Sequence, residues 1–191
     1  MRLAGVDLSA KESRPSGIAW LDEGEVFVKE AFSNEEIVDL LMEVSPRVVA
    51  IDAPLSLPLG RCCLRKECNC ERIGGMRWIE REMISRGYRV FPVTFKWMRN
   101  LTERGISLKK NLEKRGIEVI EVHPGTSRKI LGPLWELLPK INLRIQKKDL
   151  SRDEEDAVYS AITAFMYFLG EFETLGREDE GLIVLPLPIR K

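Results

Sequence analysis

The stretch RVVAIDAPLSLP, Arg47 to Pro58, limits the fold more than any other part of the chain. Val48, Val49, Ala50 and Ile51 make an unbroken apolar run, the pattern of a strand buried on both faces. Strands of that kind belong inside sheets that helices cover on each side. Asp52 follows at once, and Pro54 and Pro58 forbid a regular continuation. A carboxylate in that position costs several kcal/mol unless a turn, a salt bridge or a metal ion compensates it.

The rest of the pattern agrees with a mixed sheet. LAGVDLS (3–9), SGIAWLD (16–22) and EVFVKEAF (25–32) read as strands, the last two joined by a tight turn at Asp22, Glu23 and Gly24. SNEEIVDLLMEV (33–44) reads as a capped amphipathic helix, and IEVIEVHPG (117–125) as a fifth strand stopped by Pro124 and Gly125. Helical material is expected in GMRWIEREMISRGY and over 101–116. SRDEEDAVYSAITAFMYFLG (151–170) carries a capping box at Ser151 and Glu154 and a closing Gly170. GLIVLPLP suits a final short strand. The expected fold is α/β, a mixed five-stranded sheet flanked by helices, with residues 1–191 as a single domain and a Cys-containing basic insertion at about 58–105. Strands one, four and five would be parallel neighbours, their C-terminal ends sharing the edge where ligands gather in open α/β sheets.

That edge collects acids. Asp7 closes strand one, Asp52 strand four, and Glu121 and His123 strand five, while Asp153 and Asp156 share a face of the last helix. Small residues at Ala157, Ser160, Ala161 and Ala164 would let that helix approach the sheet closely. Clustered carboxylates repel unless a cation neutralises them, and hard oxygen donors suit Mg²⁺ or Mn²⁺. Two such ions about 3.5–4 Å apart can activate water and stabilise a leaving oxygen in phosphodiester cleavage. Turn formation by Asp7 and Asp52 and helix capping by Asp153 are the plainer alternatives. His123 suits a proton shuttle or a strand-end hydrogen bond.

Charge is balanced overall at 30 basic and 30 acidic residues, yet Arg61 to Arg115 holds 15 Lys or Arg against 6 Glu. Such a segment is either a polyanion-binding face or a solvated helical surface. Within it Trp78, Tyr88, Phe91, Phe95 and Trp97 interleave with cations that include Arg77, Arg81 and Lys96, a composition that can stack on and clamp nucleic acid or form the insertion's own core. Arg61, beside the cysteines, is a further candidate for substrate binding, and Lys11 and Arg14 follow Asp7 in a loop that could meet a phosphate. That loop lacks the glycine pattern of a nucleotide cradle. Cys62, Cys63, Cys68 and Cys70 could hold Zn²⁺, form two disulfides or stay free.

No apolar run approaches the ~20 residues that span a membrane, and the N-terminus enters a strand pattern without a leader, so a cytoplasmic chain is expected. A single glutamine, Gln146, among many Glu, Lys, Arg and Ile leans towards a thermophile. A homodimer is left open.

GVDLS, IDAPLSLP, LTERGISL, VIEVHPG, DEEDA and EGLIVLP occur in this order over nearly the whole chain. In this the sequence resembles the predicted nucleases with an RNase H fold grouped as domain of unknown function 429, relatives of RuvC-type resolvases. The resemblance implies an RNase H-like sheet in which a strand-one Asp, a strand-four acid and a D-x-x-D-A helix hold two divalent ions. Asp7 matches the first, Asp52 the second (usually Glu in the resolvases), and Asp153 with Asp156 the helical pair. Glu121 has no counterpart there. The expected function is metal-dependent hydrolysis of DNA or RNA. The alternatives are a non-catalytic nucleic-acid-binding protein of the same fold, or a small-molecule phosphotransferase.

Overall fold

The computed structural model describes residues 1–72 and 74–189, the side chains of 71 and 72 apart. Its frame is a sheet built outward from β1 (Leu3–Asp7), with β2 (Ser16–Asp22) antiparallel on one side and β4 (Val48–Asp52) parallel on the other. β3 (Glu25–Ala31) pairs antiparallel with β2, and β5 (Glu118–Val122) runs parallel to β4. The parallel trio expected from the sequence is therefore present. The sheet extends beyond the five strands expected, to eight. A two-residue β6 (Arg144–Ile145) lies outside β3, while β8 (Gly181–Pro186) and β7 (Phe172–Arg177) continue past β5.

Strand alternation divides the core into two layers. Ala4, Val6, Ile18, Val49 and Ile51 face α1 (Asn34–Val44) and α3 (Lys96–Glu113), meeting Ile37, Leu41, Leu108 and Leu112. Leu3, Ala50, Ile120 and Val122 point the other way, towards α6 (Arg152–Leu169). α6 begins and ends as its sequence dictates: Ser151 and Glu154 form the capping box, and Gly170 takes the left-handed conformation. Among the described residues, no helix is long and apolar enough to cross a membrane.

Two glycines set how near α6 comes to the sheet. A Cβ on Gly5 would lie 2.2 Å from the Ala161 backbone nitrogen and 2.3 Å from the Ala157 carbonyl oxygen. A Cβ on Gly17, the register partner of Asp7, would lie 2.1 Å from the Asp153 carbonyl oxygen. Ala157, Ala161 and Ala164 complete the close approach from the helix side, all fully buried. Gly5→Ala is therefore expected to push α6 off the sheet and cost about 1–3 kcal/mol or more, read as a lower urea midpoint.

Three elements differ from the sequence reading. Pro124 and Gly125 do not simply end β5; they open α4 (Pro124–Leu131), with the proline in the first turn, where its missing N–H is harmless. A short α5 (Leu134–Lys140) follows, burying Leu134, Leu137 and Leu138. The helix expected over 101–116 begins earlier, at Lys96. Between β4 and α3 the chain is largely irregular, with α2 (Trp78–Ser85) packing Ile79 and Met83 on Leu175, Ile183 and Leu185.

Candidate metal and nucleic-acid site

Asp7 and Asp52 end β1 and β4 and are direct register partners, so their side chains leave the same face of the sheet. That face is the one towards Gly5 and Gly17, over which the first turns of α6 lie. The close approach carries Asp153 and Asp156 towards the two strand-end acids. Asp153 and Asp7 line one cleft of about 720 Å³ together with Lys11, Arg14, Lys96, Trp97 and Asn100. The end of β1 and the first turn of α6 supply the acids, and the loop after β1 and the start of α3 supply the cations.

The electrostatics are those of acids held without enough positive charge. Among the described residues neither the Asp7 nor the Asp52 carboxylate has a hydrogen bond or an ion pair. Burial pushes the Asp7 carboxyl up to about 7, helped by the charges of Asp156 and Asp153 and opposed by Arg152. Asp52 is raised well above its ordinary range by burial first, then by Asp7, Asp156 and Glu121. Asp156 is better served, because Arg128 from α4 donates to its Oδ1 at 2.6 Å. Arg128 also lies over the Tyr159 ring, 4.9 Å from its centroid.

Two residues expected at this site lie elsewhere. Glu121 pairs in register with Ile51, not with Asp52, so it emerges on the opposite face of the sheet. There it accepts from the Leu55 backbone N–H at 2.7 Å and forms a double ion pair with Arg77 at 2.6 and 2.8 Å. Arg77, expected to bind substrate, is only 1% exposed. Its guanidinium is engaged by Glu121, by Glu80 at 2.6 Å and by Ser56 at 2.9 Å. No donor remains for an outside ligand, and Arg77 is a structural cation. The sequence held a signal for this: an acid in a doubly buried strand needs a partner, and Arg77 stands three residues before Glu80 at a helix start.

The other predicted residues divide. Lys11 and Arg14 line the acid cleft. Arg61 instead braces the cysteine loop, donating to the carbonyls of Cys63 at 3.2 Å and Gly74 at 3.3 Å. Arg81 is exposed beside Trp78, Arg177 and Glu180, in a shallow depression that none of the four aspartates lines. His123 shares a hydrogen bond with Thr126 Oγ1 at 2.8 Å at the start of α4, and burial lowers its pKa. Asn100 and Arg128 went unnoticed in the sequence; each is one polar residue on a polar helix face.

T. thermophilus RuvC, solved in complex with a Holliday junction substrate, superposes on 96% of this chain and 99% of its own with a TM-score of 0.56 and 11% identity. The two chains share a fold. It is the RNase H-like fold, here with an eight-stranded mixed sheet flanked by helices. A trimeric exonuclease from Pyrococcus horikoshii OT3 aligns over 100% of this chain and 89% of its own at 12% identity, but its TM-score of 0.29 is too low to bear on the fold. No protein-family model matches the chain, and no curated protein matches it.

Whether a divalent ion suits this RNase H-like edge depends on its donors. The chemistry fits: hard carboxylate oxygens, two of them on register partners with no ion pair of their own among the described residues. Asp7 and Asp52 would hold the ion from the sheet, with Asp153 and Asp156 opposite. In this structure no three carboxylates of the described residues close to within 4.8 Å, and Asp156 is turned to Arg128.

Proposed function

We propose that the chain is a divalent-metal-dependent nuclease that hydrolyses phosphodiester bonds of DNA or RNA. The observation that carries the reading is the register pair Asp7–Asp52, two carboxylates without an ion pair, raised by burial and by neighbouring acids and facing the D-x-x-D turn of α6. The resemblance to domain of unknown function 429 and the likeness in fold to RuvC point the same way, and Mg²⁺ or Mn²⁺ is the ion that the donor chemistry favours. When bound, such ions supply an activated water and stabilise the leaving oxygen. The chain's own task is to hold the phosphodiester over the acids. Lys11, Arg14 and Lys96 would take the phosphates at the cleft rim, and Asn100 would offer a neutral hydrogen-bond partner.

Trp97 stands at that rim, 61% exposed, edge-on to Phe91 and Phe95 at centroid distances of 6.0 and 5.2 Å. This cluster suits a base pulled from its stack more than an intact duplex. Trp97→Ala should weaken single-strand binding by about 1–3 kcal/mol, as base-stacking platforms do. Fluorescence anisotropy at fixed salt would measure it; an unchanged affinity excludes Trp97 from the interface.

The decisive experiment incubates the protein with single-stranded, branched, hybrid and duplex substrates in Mg²⁺ or Mn²⁺. Cleavage of at least one, abolished by chelator and by Asp7→Asn, is expected. A second reading has one observation in its favour: Arg128 already neutralises Asp156 at 2.6 Å, as in a binding protein that needs no metal. Salt-sensitive binding that survives both chelator and Asp7→Asn, with no cleavage of any substrate, would establish that reading instead.

A further inference from the structure

The strongest convergence of potential ligand atoms in the described residues lies away from the acids. The Sγ atoms of Cys62, Cys63, Cys68 and Cys70 all lie within 4.8 Å of one another. Cys68 and Cys70 are 3.2 Å apart, Cys62 and Cys68 3.3 Å, Cys62 and Cys70 3.6 Å, and Cys63 and Cys70 3.9 Å. No disulfide joins them. Two disulfides would divide four sulfurs into exclusive pairs, whereas here Cys70 stands close to all three others.

We propose that these four cysteines bind one structural Zn²⁺ as a tetrathiolate. A Zn–S bond of about 2.3 Å in a tetrahedron puts neighbouring sulfurs about 3.8 Å apart, close to the spacing found. The spacing also selects a single ion over an iron–sulfur cluster, whose cysteines bind different irons and stand further apart. Binding takes four thiols to four thiolates and releases their protons, leaving a site of charge −2. Arg61, Arg65 and Lys66, from the same segment, offset that charge.

The surroundings are those of a staple. Leu64, between the ligand pairs, is 1% exposed. Arg61 ties the loop across itself to the carbonyls of Cys63 and Gly74. Cys62, Cys63 and Cys68 border a groove whose far wall is Glu103, Ile106 and Lys110 of α3. The acid cleft uses the start of the same helix, at Lys96, Trp97 and Asn100. Zinc would thus close the 62–70 loop on itself beside α3 without entering the acid site. The irregular chain at 61–70 has few backbone ladders of its own, which is where a metal contributes most to folding.

The test is elemental analysis of the full chain, purified under reducing conditions, incubated with equimolar Zn²⁺ and desalted. One zinc per chain is expected, with the four thiols protected from a thiol reagent until the protein is denatured in chelator. Asp7→Asn should keep the zinc and the Cys68→Ser/Cys70→Ser variant should lose it, which separates this site from the carboxylates. Should that variant fail to fold, Co²⁺ in the unaltered protein gives an independent readout, the intense visible absorption of a tetrahedral thiolate complex. A chain that retains no zinc, that carries iron instead, or whose thiols all react while zinc is bound overturns the proposal.

Discussion

Asp52→Asn is expected to lower metal-dependent cleavage by more than ~100-fold and at the same time to raise the melting temperature of the metal-free protein; Asp7→Asn should behave alike. The first effect follows if both groups ligate the ion, because even partners one shell further out are worth about 10–100-fold. The second follows from their lack of partners. An acid whose folded pKa is raised costs stability wherever it is ionised, and an asparagine removes that cost. The sign fixes a pH window. At pH below about 4 both folded and unfolded chains hold the Asp7 proton, and nothing is lost. As pH rises from there to about 7 the unfolded chain gives its proton up first, so folded stability falls. Above about 7 the full cost stands, at most about 4 kcal/mol for Asp7. Melting in chelator at pH 5 and pH 8 should therefore show the wild type losing more stability than Asp7→Asn, and added Mn²⁺ should restore more at pH 8. Equal pH dependence in the two proteins would mean that Asp7 is already compensated in solution.

Arg77→Met should be the most destabilising single change in the segment between β4 and α3, at about 3–5 kcal/mol. The substitution leaves Glu80 and Glu121 buried together with no cation between them. Like charges in a low dielectric then drive one of them to take a proton. The triple change Arg77→Met, Glu80→Gln, Glu121→Gln should recover much of the loss, since it removes the charges as a set. Urea unfolding of the single and triple variants is the measurement. Recovery that fails would mean that geometry, not charge, is what Arg77 supplies. Activity should fall in the single variant too. Glu121 accepts from the Leu55 backbone N–H, and so holds the turn that leaves Asp52.

The sheet centre was legible because its residues answer to one rule each. Val48 to Ile51 are apolar without a break, and β4 is central; Ser151, Glu154 and Gly170 cap a helix in sequence as they do in space. Asp7 and Asp52 were readable because each closes a strand, and Asp153 and Asp156 because their i, i+3 spacing puts them on one helix face. What stayed hidden was governed by register and by partners. Nothing in IEVIEV alone says that Glu121 stands opposite Ile51 instead of Asp52, and that one-residue offset moves it to the other face. Arg77 was one of 15 basic residues in its segment and read as a substrate-binding cation. α4 was concealed because Pro124 and Gly125 are turn signals that here begin a helix. β7 carries Gly176 next to the end of a weakly alternating stretch and gave no strand pattern.

The pairing of β1 with β4, and the seat that Gly5 and Gly17 make for α6, also dictate when the acids can meet. Asp7 and Asp52 become neighbours only after the β2–β3 hairpin and α1 have been bridged, and Asp153 arrives only when a helix more than a hundred residues downstream has settled across them. Such distant contacts close late on the way to the native state. An ion bound by all three segments would find little to grip in the folding transition state. It would act on the unfolding rate, lengthening the lifetime of the folded chain while leaving the speed of folding almost untouched.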